Sequence, residues 1–205
     1  MTDDLAHMER EQLRELIGVS ALITSSLDAG EIRRRAVEAA TRLVGAERAS
    51  LLLIDGTGER MYFEVATGDD TDILSKVRMV PGQGIAGSVV QSCAAAVVND
   101  VQSDPRYCRE LDAQTDFVTR SMIAVPLSCR GNPLGVLEVI NKRNGEFDEA
   151  DLALVTSLGN HIAIAVENAR LYSRLRRSFV EMAVYAALFA VVFVAVGFWI
   201  ISLGR

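Results

Sequence analysis

Ser121-Met122-Ile123-Ala124-Val125-Pro126-Leu127-Ser128-Cys129, then Gly131-Asn132-Pro133, then Leu134-Gly135-Val136-Leu137-Glu138-Val139-Ile140-Asn141, is the stretch that decides the fold. Two short apolar runs rich in β-branched residues flank a Gly-Asn-Pro triplet. That is the pattern of two strands joined by a hairpin turn, and a hairpin makes an antiparallel sheet. Upstream, residues 49–54 form another apolar run, and Gly56-Thr57-Gly58 forms a turn. Met61, Phe63 and Val65 then alternate with Tyr62 and Glu64, as on a half-buried strand. Residues 95–98 predict a further short strand, and residues 107–115 a short helix. The region 68–81 is broken and carries no clear period.

All four prolines lie between positions 81 and 133, so both ends are free to form long helices. Leu5, Met8, Leu16, Val19, Ile23 and Leu27 recur at helical spacing and predict an amphipathic N-terminal helix over 1–28. Asp28 with Glu31 reads as a capping box for a second helix. Its buried stripe is Ile32, Ala36, Ala40, Leu43 and Val44, and Gly45 stops it. Asp148 predicts the cap of an exit helix over 148–181, with Leu152, Val155, Leu158, Ile162, Val166 and Ala169 on one face. The outline is an α+β domain: a central antiparallel sheet flanked by N- and C-terminal helices.

Half of the residues are hydrophobic and the mean hydropathy is +0.22, alongside 23% charged residues. The excess is concentrated between Met182 and Leu203, 22 residues without a charged side chain. At 1.5 Å per residue that run is long enough for a ~30 Å hydrocarbon core. Arg170, Arg174, Arg176 and Arg177 precede it. The sequence therefore predicts a single-pass transmembrane anchor over 182–203 in an inner or plasma membrane, its basic flank and N-terminal domain cytoplasmic. The net charge of −6 gives no basic face for phosphate neutralisation, so nucleic acid is not expected as a partner. Cys93, Cys108 and Cys129 have no CxxC spacing and read as reduced thiols. With His7 and His161 the only histidines, no metal-ligand spacing is present.

Several segments in fixed order carry a resemblance. They are Val80-Pro81-Gly82-Gln83-Gly84-Ile85-Ala86-Gly87, Val98-Asn99-Asp100-Val101, Asp104-Pro105-Arg106-Tyr107, Asp112, Phe117-Val118-Thr119-Arg120-Ser121, Ala124-Val125-Pro126-Leu127 and Gly135 through Lys142. From about residue 20 to 172 the chain resembles a GAF domain, the small-molecule sensing fold of phosphodiesterases, cyclases and two-component sensors. Asn141, Lys142, Phe147 and Asp151 fit the pattern of the family's cyclic-nucleotide-binding branch, but Leu152 stands where that pattern ends in glutamate. The resemblance implies a Lys142–Asp151 ion pair tying the last strand to the exit helix, a structural role.

Within this resemblance the candidate ligand-binding residues are Gly84, Ile85, Ala86, Asn99, Asp100, Tyr107, Asp112, Thr115, Thr119 and Ser121. The glycines before Ile85 open a helix whose free N–H groups suit an anion, or else form a tight turn. No Lys-Ser/Thr follows them, so the motif is not a P-loop. The polar residues from 99 to 121 read a polar ligand or cap local turns. Phe63, Tyr107 and Phe117 line a pocket or pack the core. Glu138 faces the pocket or lies at an edge, and the residues alone leave this open.

The function expected is non-catalytic: a membrane-anchored cytosolic signalling module that binds a small ligand, such as a cyclic nucleotide. It is expected to form a homodimer through its terminal helices and to relay to a separate, unidentified signalling protein. No cofactor is expected. The alternatives are a protein-interaction scaffold tethered to the membrane and a free methionine sulfoxide reductase. That reductase group carries a cysteine where this chain has Ala86.

Overall fold

The computed structural model describes residues 29–68, 71–109 and 117–203, with side chains described through Leu188 apart from residues 29 and 187. The amphipathic helix expected over 1–28, the Asp28 cap, and Asp112 and Thr115 lie outside these residues.

The first helix, α1 (Ala29–Leu43), ends at Gly45, whose φ of +63° takes the chain out of the helix. Next come β1 (Ala46–Ile54), β2 (Met61–Ala66), a one-turn α2 (Thr71–Leu74), the two-residue β3 (Arg78–Met79) and α3 (Gly84–Ser92). The chain continues through β4 (Ala96–Val98), a 3-10 turn at Val101–Ser103, β5 (Met122–Cys129), β6 (Asn132–Lys142) and α4 (Glu149–Leu203). The strands form one antiparallel sheet in the order β3-β2-β1-β6-β5-β4.

Alternation along the strands divides the core between the two faces. Leu51, Leu53, Ile123, Val125, Leu137 and Val139 bury against Ala36, Val37 and Ala40 of α1 and Val155, Leu158, Ile162 and Val166 of α4. On the opposite face Leu52, Ile54, Met61, Ala124 and Val136 pack with Ile85, Ala86, Val89 and Val90 of α3. β6 therefore reads as a near-continuous apolar run because both of its faces are covered.

Two details refine the sequence expectations. The 131–133 turn is tighter than its triplet implied. Arg130 (φ +52°) and Gly131 (φ +80°) make it alone, and Asn132 and Pro133 belong to β6. Pro133 stands at the start of β6, beyond the last β1–β6 pair Leu53↔Gly135, where a strand tolerates proline. The broken region before Pro81 holds α2 and β3, both too short to show a period.

The exit helix starts one residue after Asp148. Asp148 Oδ1 accepts from Asp151 N at 2.9 Å, and Asp151 Oδ2 accepts from Asp148 N at 3.1 Å, a reciprocal cap. The helix backbone is continuous to Leu203. By contact density the chain divides into residues 1–167 and 168–205. The anchor expected over 182–203 is not supported: among the described residues no helix is long and apolar enough to cross a membrane. Most of that run lies beyond the last described side chain.

Candidate functional site

A cavity opens on the α3 face of the sheet. Its floor is the middle of β1 and β6, with Arg48, Ala49, Ser50, Glu138 and Ile140. Its walls include Phe63 and Thr67 from the β2 side, Met79, and Gly84, Ile85 and Ala86 at the start of α3. Tyr107, Cys108, Phe117, Thr119 and Met122 close the remaining side. The cavity measures ≈ 80 Å³. At ~15 Å³ per water that is room for about five waters, or one molecule of similar bulk.

Polar groups are few and converge on the floor. Ser50 and Glu138 are directly opposed in the β1–β6 register. Both side chains point to the α3 face, and both are buried, at 3% and 5% exposure. Ser50 Oγ donates to Glu138 Oε2 at 2.7 Å. Glu138 therefore faces the cavity, which answers the question its sequence context leaves open. Thr67 latches β2 to β1 by donating its hydroxyl to Ala49 O (3.2 Å) and accepting from Ala49 N (2.9 Å). Arg48 lays its guanidinium over the Phe117 ring, 4.0 Å from the centroid, an arrangement stabilised by the ring's negative face.

The start of α3 is shaped by glycine. Gly84 has φ +69°, a conformation that L side chains rarely adopt. A Cβ on Gly87 would stand 2.8 Å from Val80 O, so only glycine lets α3 lie against the preceding turn. The N-cap is Gln83, whose side chain makes no capping bond.

The other candidates sort by position. Tyr107 and Thr119 line the cavity with Gly84, Ile85 and Ala86. Ser121 does not: its Oγ accepts from Lys142 N at 3.2 Å, and its backbone pairs with Asn141. Asn99 and Asp100 also lie off the cavity. Asn99 brackets the backbone of Phe147, donating to its O (3.0 Å) and accepting from its N (2.9 Å). Asp100 accepts from Ser103 Oγ at 2.6 Å, within its own turn. The local turn chemistry that draws Asn and Asp to such sites explains both positions. Arg48, Ser50 and Thr67 were missed by sequence reasoning. The signal for Ser50 was a polar residue at the same register as Glu138 in the next strand, visible only once the pairing is known.

A second polar cluster lies at the corner where β6 turns into α4, and its role is architectural. Lys142 Nζ pairs with the Asp151 carboxylate. Asn141, 1% exposed, has φ +58° and spends its side chain on four bonds. Its Oδ1 accepts from Arg120 N (2.7 Å) and Ser121 N (3.2 Å), and its Nδ2 donates to Val118 O (2.9 Å) and Glu47 Oε2 (2.8 Å). Burial, the largest single influence on Glu47, pushes its carboxyl up. The bonds from Asn141 and Arg120, with the charges of Arg120 and Arg143, outweigh it and hold the carboxyl below its usual range.

The GAF domain model matches residues 28–166. The chain belongs to the GAF domain family. Among its relatives, a probable 3',5'-cyclic phosphodiesterase of Caenorhabditis elegans is 30% identical over 148 residues, 68% of this chain and 20% of that protein. The dual 3',5'-cyclic-AMP and -GMP phosphodiesterase 11 of Drosophila melanogaster is 29% identical over 188 residues, 83% of this chain and 13% of that protein. This chain thus spans a fifth or less of either relative's length, the part that holds the GAF region. Among solved structures, the GAF domain of a phosphoenolpyruvate-protein phosphotransferase from Coxiella burnetii superposes with a TM-score of 0.71 at 20% identity, covering 80% of this chain and 96% of that one. The free methionine-R-sulfoxide reductase of Neisseria meningitidis superposes at 0.66 with 21% identity, covering 78% and 91%. At such identities the structural likeness shows the fold alone. The chain is a GAF domain of the signalling and sensor type.

Among the described residues no group of three or more His, Cys, Asp or Glu is placed to hold a metal ion. Cys108 lines the cavity, whereas Cys129 packs on the α1–α4 face, so the sheet lies between them.

Proposed function

We propose that this GAF domain is a non-catalytic sensor that holds a small ligand in the α3-face cavity and relays its presence through α4 to a separate protein. The observation that carries the reading is the buried Ser50–Glu138 pair on the floor of a mostly apolar and aromatic cavity. Buried polar groups at the bottom of an apolar pocket are the usual means of orienting a ligand. Similarity to cyclic-nucleotide phosphodiesterases makes 3',5'-cyclic GMP and AMP the first compounds to test. The same cavity argues against sulfoxide reduction, which needs thiols that can meet: Cys108 and Cys129 stand on opposite faces of the sheet, and position 86 is alanine.

The relay rests on α4. Its backbone is one helix from the core to Leu203, and Leu171, Leu175, Phe179, Met182 and Tyr185 expose large apolar side chains along it. We assign this stripe to a homodimer contact and the uncharged run 182–203 to a membrane tether. The domain is then cytoplasmic at an inner or plasma membrane, with the arginines from 170 to 177 at the headgroups. Native mass spectrometry of the freshly purified full chain tests the sensing role, together with thermal shift against both cyclic nucleotides. A ligand at a hundred times its Kd adds about 2.7 kcal/mol and raises the midpoint by several degrees. No retained molecule and no shift across a metabolite panel would leave the scaffold reading.

A further inference from the structure

We infer that α4 pairs in parallel and in register with α4 of a second copy of this chain, and that Asn168 fixes the register. This deepens the homodimer contact proposed above and rests on it. From Asn168 to Tyr185 the helix carries a heptad pattern. With Asn168 at position a, Leu175 and Met182 follow at a, and Leu171, Ser178 and Tyr185 fall at d. Tyr172 and Phe179, at e, widen the same stripe. Arg170, Arg176 and Arg177 fall at b and c, away from it. Ile164, one heptad before Leu171, is also exposed and continues the stripe toward the start of the helix.

Leu171, Tyr172, Leu175, Phe179, Met182 and Tyr185 are each between 46% and 72% exposed. Pairing two such faces removes on the order of 1,000 Å² from water, the area a specific interface needs. The stripe is self-complementary, because in a parallel pair each a or d residue meets its own kind. Ser178 is the small residue of the seam, and Phe179 beside it supplies bulk. Val180 and Val184 lie off the stripe, so the pattern is sharpest from Asn168 to Phe179.

Asn168 decides between the occupants such a stripe can take. It is exposed, it stands between Ile164 and Leu171, and its side chain makes no hydrogen bond within the described residues. A helix lying on a membrane surface gains nothing from an amide in the middle of its apolar face. In a parallel coil two asparagines share one a layer and satisfy each other. A shifted register sets each against an apolar side chain, at the cost of an unpaired buried amide. An antiparallel pair would set Asn168 against the partner's Tyr185 and Arg174 beside the partner's Glu181. An exposed ion pair of that kind contributes little. That arrangement would also carry the two uncharged runs 182–203 to opposite ends, away from a shared tether.

Leu171→Cys, Met182→Cys and Ser173→Cys, made one at a time in the full chain in detergent, read the seam. All three positions are exposed, so the substitutions leave the domain core intact. The oxidised protein is digested and mapped by mass spectrometry, which separates bridges at the introduced positions from any made by Cys93, Cys108 or Cys129. A disulfide needs Cα atoms within about 7 Å, so bridging at 171 and at 182 is expected to exceed bridging at 173, which faces away from the seam, by at least about tenfold. Mixing the 171 and 182 variants should give like pairs and no crossed 171–182 bridge. Adding Asn168→Leu should tighten association in sedimentation yet release the arrangement, seen as crossed bridges or as species larger than the dimer. Crossed bridges in the chain with Asn168, or like pairs and a dimer kept by Asn168→Leu, overturn the inference and leave the homodimer contact standing with another geometry. Equal bridging at 173, or a full chain that sediments as a monomer, removes that contact as well. The sensing role is read apart from all of these, by the molecule retained in native mass spectrometry.

Discussion

Asn141 combines a left-handed backbone with four side-chain hydrogen bonds, two donated and two accepted. Its family motif was legible in the sequence, but its work was not, because the partners at 47 and 118–121 come together only through strand pairing. Asn141→Asp should be more damaging than its size suggests. It keeps the acceptors for Arg120 N and Ser121 N but turns Nδ2 into an oxygen facing Val118 O and the Glu47 carboxylate. Two lost bonds and a repulsive contact cost about 3 kcal/mol, or roughly 6–12 °C in Tm for a domain of this size. Calorimetry of the variant checks this, and a change under 2 °C would dismiss the latch. Glu47 adds a pH dependence. Its folded pKa is lowered, so its contribution is complete above the unfolded value of about 4.3 and is lost as pH falls through the folded value. Asp104, held low first by the Arg106 hydrogen bond, and Asp148, held low first by the Asp151 backbone N–H, act in the same direction. Tm should fall steeply below about pH 4, and Glu47→Gln should flatten that decline.

At the scale of elements, what the sequence shows depends on length and on whether a face is dry. α1 and the core-facing part of α4 were legible because each has a single buried stripe of several residues, whereas the alternation expected for β2 is broken by a bulge opposite Leu51 and Leu52 that puts Val65 with Tyr62 on the α1–α4 face and leaves Met61 and Phe63 on the α3 face. β1 was seen only from residue 49, since the polar side chains of Glu47 and Arg48 near its start serve the β6–α4 corner and the cavity. α2 and β3, of four and two residues, are too short for any period to show. The cavity was half legible: Gly84, Ile85, Ala86, Tyr107 and Thr119 lie on it, while Asn99, Asp100 and Ser121 serve turns and strand ends. Gly135 marks the tightest contact between elements. A Cβ there would lie 2.0 Å from Leu52 O in the β1–β6 ladder. Alanine must push two central strands apart over a seven-residue register. Gly135→Ala should cost at least about 3 kcal/mol and yield mostly insoluble protein, whereas Gly131→Ala, with open space around it, should lose less despite its positive φ. Expression and thermal melts of the pair decide whether close approach or turn conformation matters more.

The whole molecule divides where its buried contacts end. The last residue of α4 in the α1–α4 core is Val166, and the contact division falls after Glu167. From Leu171 to Leu188 the described side chains of α4 are exposed or partly so, and its large apolar ones contribute to neither core cluster. The helix is one element whose first five turns complete the domain and whose remainder adds nothing to either core cluster. Stopping the chain after Glu167 should leave a domain that melts cooperatively within about 3 °C of the full protein, since no core contact is removed. Stopping it after Asn160 removes Ile162, Ala163 and Val166, each under 3% exposed, and should cost several kcal/mol. The same pair tests the proposed tether and dimer. The chain ending at Glu167 should stay in the supernatant of membrane preparations and sediment as a smaller species than the full chain in detergent. If it pellets with membranes, or keeps the full chain's oligomeric state, the exposed stripe and the uncharged run are not what localises and pairs the protein, and those roles pass to residues before 167.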